Sequence, residues 1–298
     1  MTIRYLEIFA EVCRYMNMSK AAQALMISQS SVSQAVTALE KEYGVRLFER
    51  LNHALYLTPA GEELLYLSSQ VLKSIERMNA AMTDAPMTLN IGCCNTVGVS
   101  LLFPLISRFK RKNAGIHVTA EITNTKTLEE KILNGMLDLA IIPETHCLPY
   151  FKYLPFLKDE ISVVCWAGHP LAGQSLWLKD LQKEIFVGRE AGSGTDTLLK
   201  NFCAKKGLNL KFDCVCNSTA SVKQAVLHKM GLAVMSVFLV KKELAERRLA
   251  LINVKDKELA RRFVIIYHKD KIFGGALELF ADFCAGLGQR GLEELIEC

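Results

Sequence analysis

Apolar residues recur at helical spacing through the first part of the chain and predict a compact set of short helices. A first helix is expected to end before Asn17. Ser19 is then expected to cap a short second helix, and residues 26–28 to form a tight turn. Ser28 is placed to cap a third helix over residues 29–43. Short helix, tight turn and longer helix is the geometry of a helix-turn-helix.

The third predicted helix has one apolar and one polar side. At about 100° per residue, its apolar positions fall on one face and its hydroxyl and amide side chains on the other. Small uncharged groups approach base edges closely, and glutamine suits adenine, whereas a merely solvated face would carry more Glu, Lys and Arg. The polar face is therefore predicted to contact DNA; it comprises Ser33, Gln34, Thr37 and Lys41, opposite Val32, Ala35, Val36 and Leu39.

A hairpin and a long helix are predicted next. Apolar residues flank a polar tip at Arg50, Asn52 and His53, which indicates a β-hairpin wing whose Arg50 can reach a phosphate. Thr58 is expected to cap a helix over residues 59–82. Apolar spacings of four and three along that helix indicate a coiled-coil seam and hence a homodimer, with packing onto its own chain as the alternative. The seam residues are Leu64, Val71, Ile75 and Met78.

From residue 87 onward, short β-type runs alternate with helical segments. This alternation predicts an α/β architecture with parallel strands. Two similar strand-helix sets, followed by late strands, indicate two α/β lobes with a cleft between them.

Composition excludes some classes and leaves others open. The 298 residues are 50% apolar and 22% charged, and the longest apolar stretch is too short to span a membrane. No signal peptide is recognised, so a cytoplasmic location is expected. The net charge is +5, and the first 58 residues carry six basic against five acidic side chains. Bulk charge therefore does not indicate nucleic acid, and the argument for DNA depends on where polar groups point.

Ten cysteines occur without a C-x-x-C pair, so neither a disulfide framework nor structural zinc is expected. Most are interpreted as small buried hydrophobic residues. A thiol-based redox sensor is the alternative, with Cys93, Cys94, Cys203, Cys214 and Cys216 as candidates.

An enzyme is a further alternative, because two-lobed α/β folds host many chemistries. The sequence contains no Walker loop, H-E-x-x-H, G-x-G-x-x-G or G-x-S-x-G motif, and its six histidines are scattered. No catalytic residue, metal ligand or cofactor is therefore predicted.

The N-terminal block resembles the LysR-type transcriptional regulators. The resemblance is carried by Gly44-Val45-Arg46-Leu47-Phe48-Glu49-Arg50 and Thr58-Pro59-Ala60-Gly61, and it continues through Gly192-Ser193-Gly194-Thr195 and Val222-Lys223-Gln224-Ala225-Val226. It implies an α/β protein with a winged helix-turn-helix at residues 1–58 and a dimerising linker helix at 59–86. A regulatory domain folded like a two-lobed periplasmic binding protein would follow at 87–298. Its first lobe would hold residues 87–160 and 264–298, and its second lobe residues 161–263.

The resemblance also implies site residues. Base contacts map onto Gln29, Ser30, Ser33, Gln34 and Thr37, and phosphate contacts onto Ser19, Lys20 and Arg50. Ser30 stands where the family usually has proline, which would alter the bases contacted. Effector contacts map onto Cys94, Asn95, Thr96, Pro143, Ser193, Gly194, Thr195, Asn217 and Ser218, with helix capping as the alternative role for each Ser and Thr.

The implied partners are promoter DNA, further copies of the chain in a homodimer and a homotetramer, a small-molecule effector and RNA polymerase. The GSGT segment is similar to the branch that responds to small inorganic or carboxylate anions. That branch commonly has arginine after the threonine, whereas this chain has Asp196, which would oppose a doubly charged anion. An anionic or a zwitterionic effector is therefore expected.

Overall fold

The computed structural model describes residues 2–51, 54–82, 87–145, 147–256 and 259–297. The chain divides into two compact units, Met1–Pro86 with Leu133–Met136 and Met87–Ile132 with Leu137–Cys298. Within the described ranges, no helix combines the length and the apolar character needed to cross a membrane.

Three helices, a hairpin and a long helix build the first unit. Phe9, Val12, Val32 and Leu39 are fully buried at its centre, which the helical spacing of these apolar residues explains. The predicted wing is confirmed as an antiparallel pair in which Phe48 lies opposite Leu57. The elements are α1 Ile3–Tyr15, α2 Met18–Ala24, α3 Gln29–Tyr43, β1 Phe48–Leu51, β2 Ala54–Leu57 and α4 Pro59–Met82.

The ends of the recognition helices are set by short polar side chains. Asn17 Oδ1 accepts the N–H groups of Ser19 at 2.9 Å and Lys20 at 3.0 Å. The prediction that Ser19 caps α2 is therefore wrong by two residues, because asparagine at this position already satisfies those amides. Ser28 caps α3 as predicted, its Oγ accepting the Ser31 N–H at 3.1 Å.

Thr58 caps α4 as predicted and also ties the helix to the wing. Its hydroxyl accepts the Gly61 N–H at 3.0 Å and donates to the Arg46 carbonyl at 2.6 Å. Glycine is required at position 61, because a Cβ there would lie 2.2 Å from the Leu47 carbonyl oxygen. The start of α4 is thus held against the two residues that precede strand β1 of the wing.

The second unit contains eleven strands and seven α-helices within the described residues, and most strands match the predicted β-type runs. The strand Phe151–Asp159 is an addition that sequence patterning missed, because Lys152, Pro155 and Lys158 interrupt its apolar character. The strands are β3 Met87–Cys94, β4 Ile116–Thr123, β5 Leu139–Pro143, β6 Phe151–Asp159, β7 Ile161–Trp166, β8 Ser175–Leu176, β9 Ile185–Arg189, β10 Lys211–Cys216, β11 Ala233–Ser236, β12 Leu249–Val254 and β13 Arg261–His268. The helices are α5 Asn95–Ser100, α6 Leu102–Lys112, α7 Thr125–Leu133, α8 Gly194–Lys206, α9 Thr219–Leu227, α10 Lys241–Ala245 and α11 Gly275–Glu297.

These strands form two lobes. The first lobe has a five-stranded sheet in the order β4-β3-β5-β13-β6, and the second has β11-β7-β12-β8 and the pair β10-β9. Strand β3 runs parallel to β4 and β5, and β9 parallel to β10. The prediction of parallel strands is wrong for β13, which is antiparallel to both neighbours because it returns from the other lobe and enters the sheet from the opposite end. It is also wrong for β7, which is antiparallel to β11 and β12.

Two short segments join the lobes. Glu160 separates β6 from β7, and residues 255–260 separate β12 from β13. Because β13 begins in the first sheet, residues 261–263 lie in the first lobe, whereas the sequence-derived boundary gave them to the second. Arg261 therefore starts β13 directly opposite Asp159, the last residue of β6.

Candidate DNA-reading helix and effector cleft

Helix α3 exposes the residues that were predicted to contact bases. Its apolar side is buried in the helical core, and Ser33 is partly exposed. The Ser30 hydroxyl lies 2.7 Å from the Ser28 hydroxyl, so it extends the cap of α3 into the start of the polar face. The other predicted base-contacting residues, Gln29, Gln34 and Thr37, are all exposed, as is Lys41.

The predicted phosphate contacts lie at the edges of this helical unit. Ser19 and Lys20 are exposed in the first turn of α2, with their backbone amides already bonded to Asn17. Only their side chains are therefore available to a phosphate. The backbone of Arg50 lies in β1, but its side chain, like Asn52 and His53 at the tip of the wing, falls outside what the structure describes.

Helix α4 carries the four residues that were predicted to form the seam, of which Leu64 packs against the helical core of its own unit. Val71 is 44% exposed and Met78 57% exposed, while Leu64 and Ile75 are half-buried. Ser68, which interrupts the seam, is buried and donates to the Leu65 carbonyl at 3.1 Å. Aligned apolar side chains left in solvent by one chain are typical of a surface that a second chain covers.

Seven of the nine predicted effector residues come together between the two lobes. Helices α7 and α8 begin at this cleft, and the side chain of Ser193, at the N-cap of α8, makes no capping hydrogen bond to the described residues of that helix. The amides at the start of α8 therefore lack a capping side chain, which favours an anion there. The residues lining the cleft are Cys94, Asn95, Thr96, Asn124, Thr125, Pro143, Arg189, Ser193, Gly194, Thr195 and Arg261.

Arg261 lies at the centre of the cleft and was not predicted. Its Nε donates to Asp159 at 2.6 Å, and its other two nitrogens donate to the hydroxyls of Thr195 at 2.8 Å and Thr96 at 3.3 Å. Both members of the Arg261–Asp159 pair are buried, with side chains 1% and 0% exposed. The Ser236 hydroxyl donates to the other Asp159 oxygen at 2.5 Å, so the carboxylate has partners on both oxygens.

The second arginine of the cleft is also paired. Arg189 forms a two-pronged contact with Glu190, at 2.9 and 3.0 Å. Asp196, the residue expected to oppose an anion, lies 2.8 Å from Lys200 one turn along α8. Each of these charges near the cleft therefore has an opposite charge beside it, and the site combines strong donors with little net charge.

Thr125 contributes a polar group of a different kind. It is 3% exposed, and its Oγ1 is a buried oxygen with no hydrogen-bond partner among the residues that the structure describes. Such an atom loses the bonds it makes to water unless something in the cleft replaces them.

Two predicted effector residues do not line the cleft. Asn217 is exposed, and Ser218 caps α9 by accepting the Ser221 N–H at 3.1 Å, the alternative role expected for it. The next residue, Thr219, is the one that is buried, and it lines a neighbouring cavity together with Arg189 and Thr195. The turn before α9 thus presents a different residue from the ones that the resemblance implied.

The comparisons with known proteins agree with this architecture. Residues 3–62 match the family described as "Bacterial regulatory helix-turn-helix protein, lysR family", and residues 84–288 match "LysR substrate binding domain". The chain is 30% identical over 288 residues to the RuBisCO operon transcriptional regulator of Allochromatium vinosum, covering 95% of each. It belongs to the LysR family of transcriptional regulators.

Other members of the LysR family extend the comparison. The regulator CysL of Bacillus subtilis is 30% identical and aligns over 88% of this chain and 89% of its own. The regulatory domain of Synechocystis PCC6803 CcmR, solved in complex with 2-PG, has a TM-score of 0.62 and 26% identity, covering 67% of this chain and 96% of that one. A full-length OxyR variant of Pseudomonas aeruginosa shares the fold, with a TM-score of 0.74 at 22% identity over 95% of this chain and 94% of that one.

Four of the five candidate thiols of this LysR-type regulator do not resemble reactive cysteines. Burial raises the pKa of Cys203, Cys216, Cys93 and Cys94 above the usual range. The thiolate is the form that reacts with oxidants, so a raised pKa slows oxidation. This disfavours the redox-sensor alternative for these four candidates.

Sequence reasoning missed the charged centre of the cleft. Asn124 and Thr125 follow β4 as Asn95 and Thr96 follow β3, so the rule used for other strand ends could have found them. No comparable signal identifies Arg261, because the adjacent Arg262 looks the same in the sequence. In the structure, Arg262 pairs with Glu144 instead of entering the cleft. That Arg262 contact holds the pKa of Glu144 below its usual range, against the opposing effect of burial.

Proposed function

We propose that this regulator binds promoter DNA under the control of a small anion, a carboxylate or oxoanion, held in the inter-lobe cleft. The observation that carries the proposal is the convergence of the Arg261 guanidinium with the first turn of α8, which lacks a capping side chain. Helix N-termini and arginine both favour negative charge, and arginine suits the planar geometry of a carboxylate.

The balance of charge narrows the ligand class. Arg189 and Arg261 each have an acidic neighbour, so a multiply charged ligand would gain little from the surrounding field. Thr125 Oγ1 adds one unused buried hydroxyl. These features favour a compact ligand with one or two acidic oxygens, and they admit a zwitterion. The regulatory domain of CcmR was solved in complex with 2-PG, which supports a small-molecule effector.

At the other end of the chain, we propose that α3 enters the major groove. Gln29, Ser33, Gln34 and Thr37 would contact bases, with Ser30 at the edge of the contact. The side chains of Ser19, Lys20 and Arg50 would contact phosphates. Pairing through Val71 and Met78 of α4 would present two such helices to two half-sites, with tetramers formed by two pairs. On this proposal the chain acts on transcription by binding DNA and RNA polymerase, and not by catalysis.

Calorimetric titration of the full-length protein with inorganic sulfate, inorganic phosphate and 2-PG, at matched ionic strength, tests the cleft. At least one should bind, and it should change the footprint on a duplex selected from random sequence by the wild-type protein. Thr195→Arg should abolish anion binding while sparing DNA binding, because the new side chain fills the cleft. Thr197→Arg is the matched control, since Thr197 lies two residues along α8 and outside the cleft lining.

Unchanged anion binding in Thr195→Arg would contradict the cleft assignment. Failure of all three anions to bind would contradict the ligand class. Loss of DNA binding in both arginine variants would instead indicate damage to the fold.

A further inference from the structure

We infer that Asp159 limits the negative charge that an effector can carry, through its contact with Arg261. This inference rests on the proposed anion site and concerns its specificity. Asp196, which follows the GSGT segment, was the carboxylate expected from the sequence to oppose a doubly charged anion. In the structure, Asp159 is the carboxylate that contacts the guanidinium at the centre of the cleft, with an oxygen 2.6 Å from Arg261 Nε.

Arg261 meets a ligand as one half of a neutral pair. Its guanidinium has five N–H groups, and the hydrogen bonds to Asp159, Thr195 and Thr96 use three of them. The other two N–H groups can donate to a ligand oxygen. The Ser236 hydroxyl donates to the second oxygen of Asp159 at 2.5 Å, and two donors on one carboxylate favour its charged form. The ligand therefore gains directional hydrogen bonds at Arg261 but little net attraction between charges.

The acidic residues near the cleft differ in how strongly water screens them. The side chain of Asp159 is 0% exposed, whereas those of Asp196 and Glu190 are 15% and 21% exposed. Lys200, the partner of Asp196, is 68% exposed. Water weakens the field of an exposed charge, whereas a buried charge acts through a medium of lower effective dielectric constant. Asp159 should therefore repel a bound anion more strongly than Asp196 or Glu190 does.

The size of that repulsion depends on the charge of the ligand. The Coulomb energy is proportional to each charge, so a dianion loses twice as much to Asp159 as a monoanion in the same position. A change in the shape of the site would instead affect two anions of similar shape alike. The ratio of their affinities thus separates the charge of Asp159 from its structural role.

The test uses sulfate and methanesulfonate, which share a tetrahedral sulfur but carry two negative charges and one. Calorimetry of the full-length protein at matched ionic strength gives the dissociation constant of each anion. Asp159→Asn keeps the shape and an acceptor oxygen for Arg261, and it should shift the affinity ratio toward sulfate by roughly tenfold. Asp159→Glu keeps the charge and should leave the ratio close to that of the wild type.

Two matched controls remove a charge from a more exposed position. Asp196→Asn and Glu190→Gln should each shift the ratio by less than Asp159→Asn does. A double variant, Asp159→Asn with Arg261→Gln, replaces the buried ion pair by two neutral amides, and it serves if the single variant does not fold. Its ratio should stay near that of the wild type, because the pair that it replaces is neutral as a whole.

Several outcomes would overturn the inference. One is an unchanged ratio in Asp159→Asn while both anions still bind, which would leave the anion site itself in place. Another is a larger shift in Asp196→Asn than in Asp159→Asn. A strong shift of the double variant toward methanesulfonate would show that Arg261 acts on the ligand without opposition from Asp159. If neither anion binds to the wild type or to Asp159→Asn, the proposed anion site fails, and the inference fails with it.

Discussion

The DNA-reading helix and the effector cleft use similar polar side chains, but the helix exposes them and the cleft buries them. Helix α3 presents hydroxyls and amides to solvent on one continuous segment, with its apolar side buried. The cleft buries its threonines around two arginines drawn from distant strands. The exposed surface is free to meet a new partner, whereas most of the buried polar groups, apart from the Thr125 hydroxyl, already have partners within the protein. Function at α3 should therefore depend on individual side chains, and function at the cleft on a coupled network.

The largest expected effect tests the coupling in the cleft. Asp159→Ala should lower the free energy of unfolding of the regulatory unit by about 3–5 kcal/mol, because it leaves the buried Arg261 charge unpaired. Gln34→Ala on α3 should change the free energy of unfolding of the helical unit by less than about 0.5 kcal/mol, as is usual at exposed positions. In urea unfolding, tryptophan fluorescence reports on the regulatory unit, which holds Trp166 and Trp177, and far-UV circular dichroism also reports on the helical unit. Similar losses in both variants would remove the contrast.

In DNA recognition, Gln34 should matter more than the residues of the cleft, the reverse of the order expected for stability. Gln34→Ala should weaken discrimination at one base position by about 1–3 kcal/mol, the range for a two-pronged contact with a base. Gln224→Ala is the matched control, because Gln224 is an exposed glutamine of the regulatory unit. Binding-site selection with each variant measures the base preference at every position. An unchanged preference in Gln34→Ala would refute the assignment of this face.

A smaller difference is expected in the response to pH. Burial lowers the pKa of His268, and Asp270 only partly opposes this, so the unfolded chain takes up a proton at higher pH than the folded one. The contribution of neutral His268 to stability is therefore fully present above its pKa in the unfolded chain, and it is lost as the pH falls toward the pKa in the folded chain. Residues 1–51 contain no histidine.

Unfolding of the regulatory unit should accordingly lose stability between about pH 7 and pH 5, and His268→Gln should make that loss shallower. Urea titrations at several pH values give the slope. A steeper loss in the variant would show that His268 is charged in the folded protein.

The smallest expected effect concerns the thiols. Cys203→Ser should leave both anion binding and the DNA footprint unchanged in the presence of peroxide, because burial raises the pKa of this thiol. Footprinting before and after peroxide treatment makes the comparison. A peroxide-dependent footprint that disappears in Cys203→Ser would restore the redox-sensor interpretation.

Local patterns in the sequence were sufficient for the first unit. The spacing of Val32, Ala35, Val36 and Leu39 placed the buried side of α3, and Ser28 and Thr58 were recognised as caps. Each of these features depends on residues within one or two turns of helix, so periodicity and capping rules describe them well. The one misplaced cap, at Ser19, differs from the observed Asn17 by two residues within the same turn.

The amino-acid sequence by itself determined the helix-turn-helix, the wing, the alternation of strands and helices and the family. Only the tertiary structure decided which arginine enters the cleft. Arg261 and Arg262 are the same residue type in the sequence, and their side chains point to opposite faces of β13. The tertiary structure also decided that Asp159 and Ser236 neutralise and orient Arg261, and that Thr219 is buried instead of Asn217. These choices depend on contacts between residues up to 165 positions apart, and such contacts follow from how the strands of the two lobes meet, which no local pattern contains.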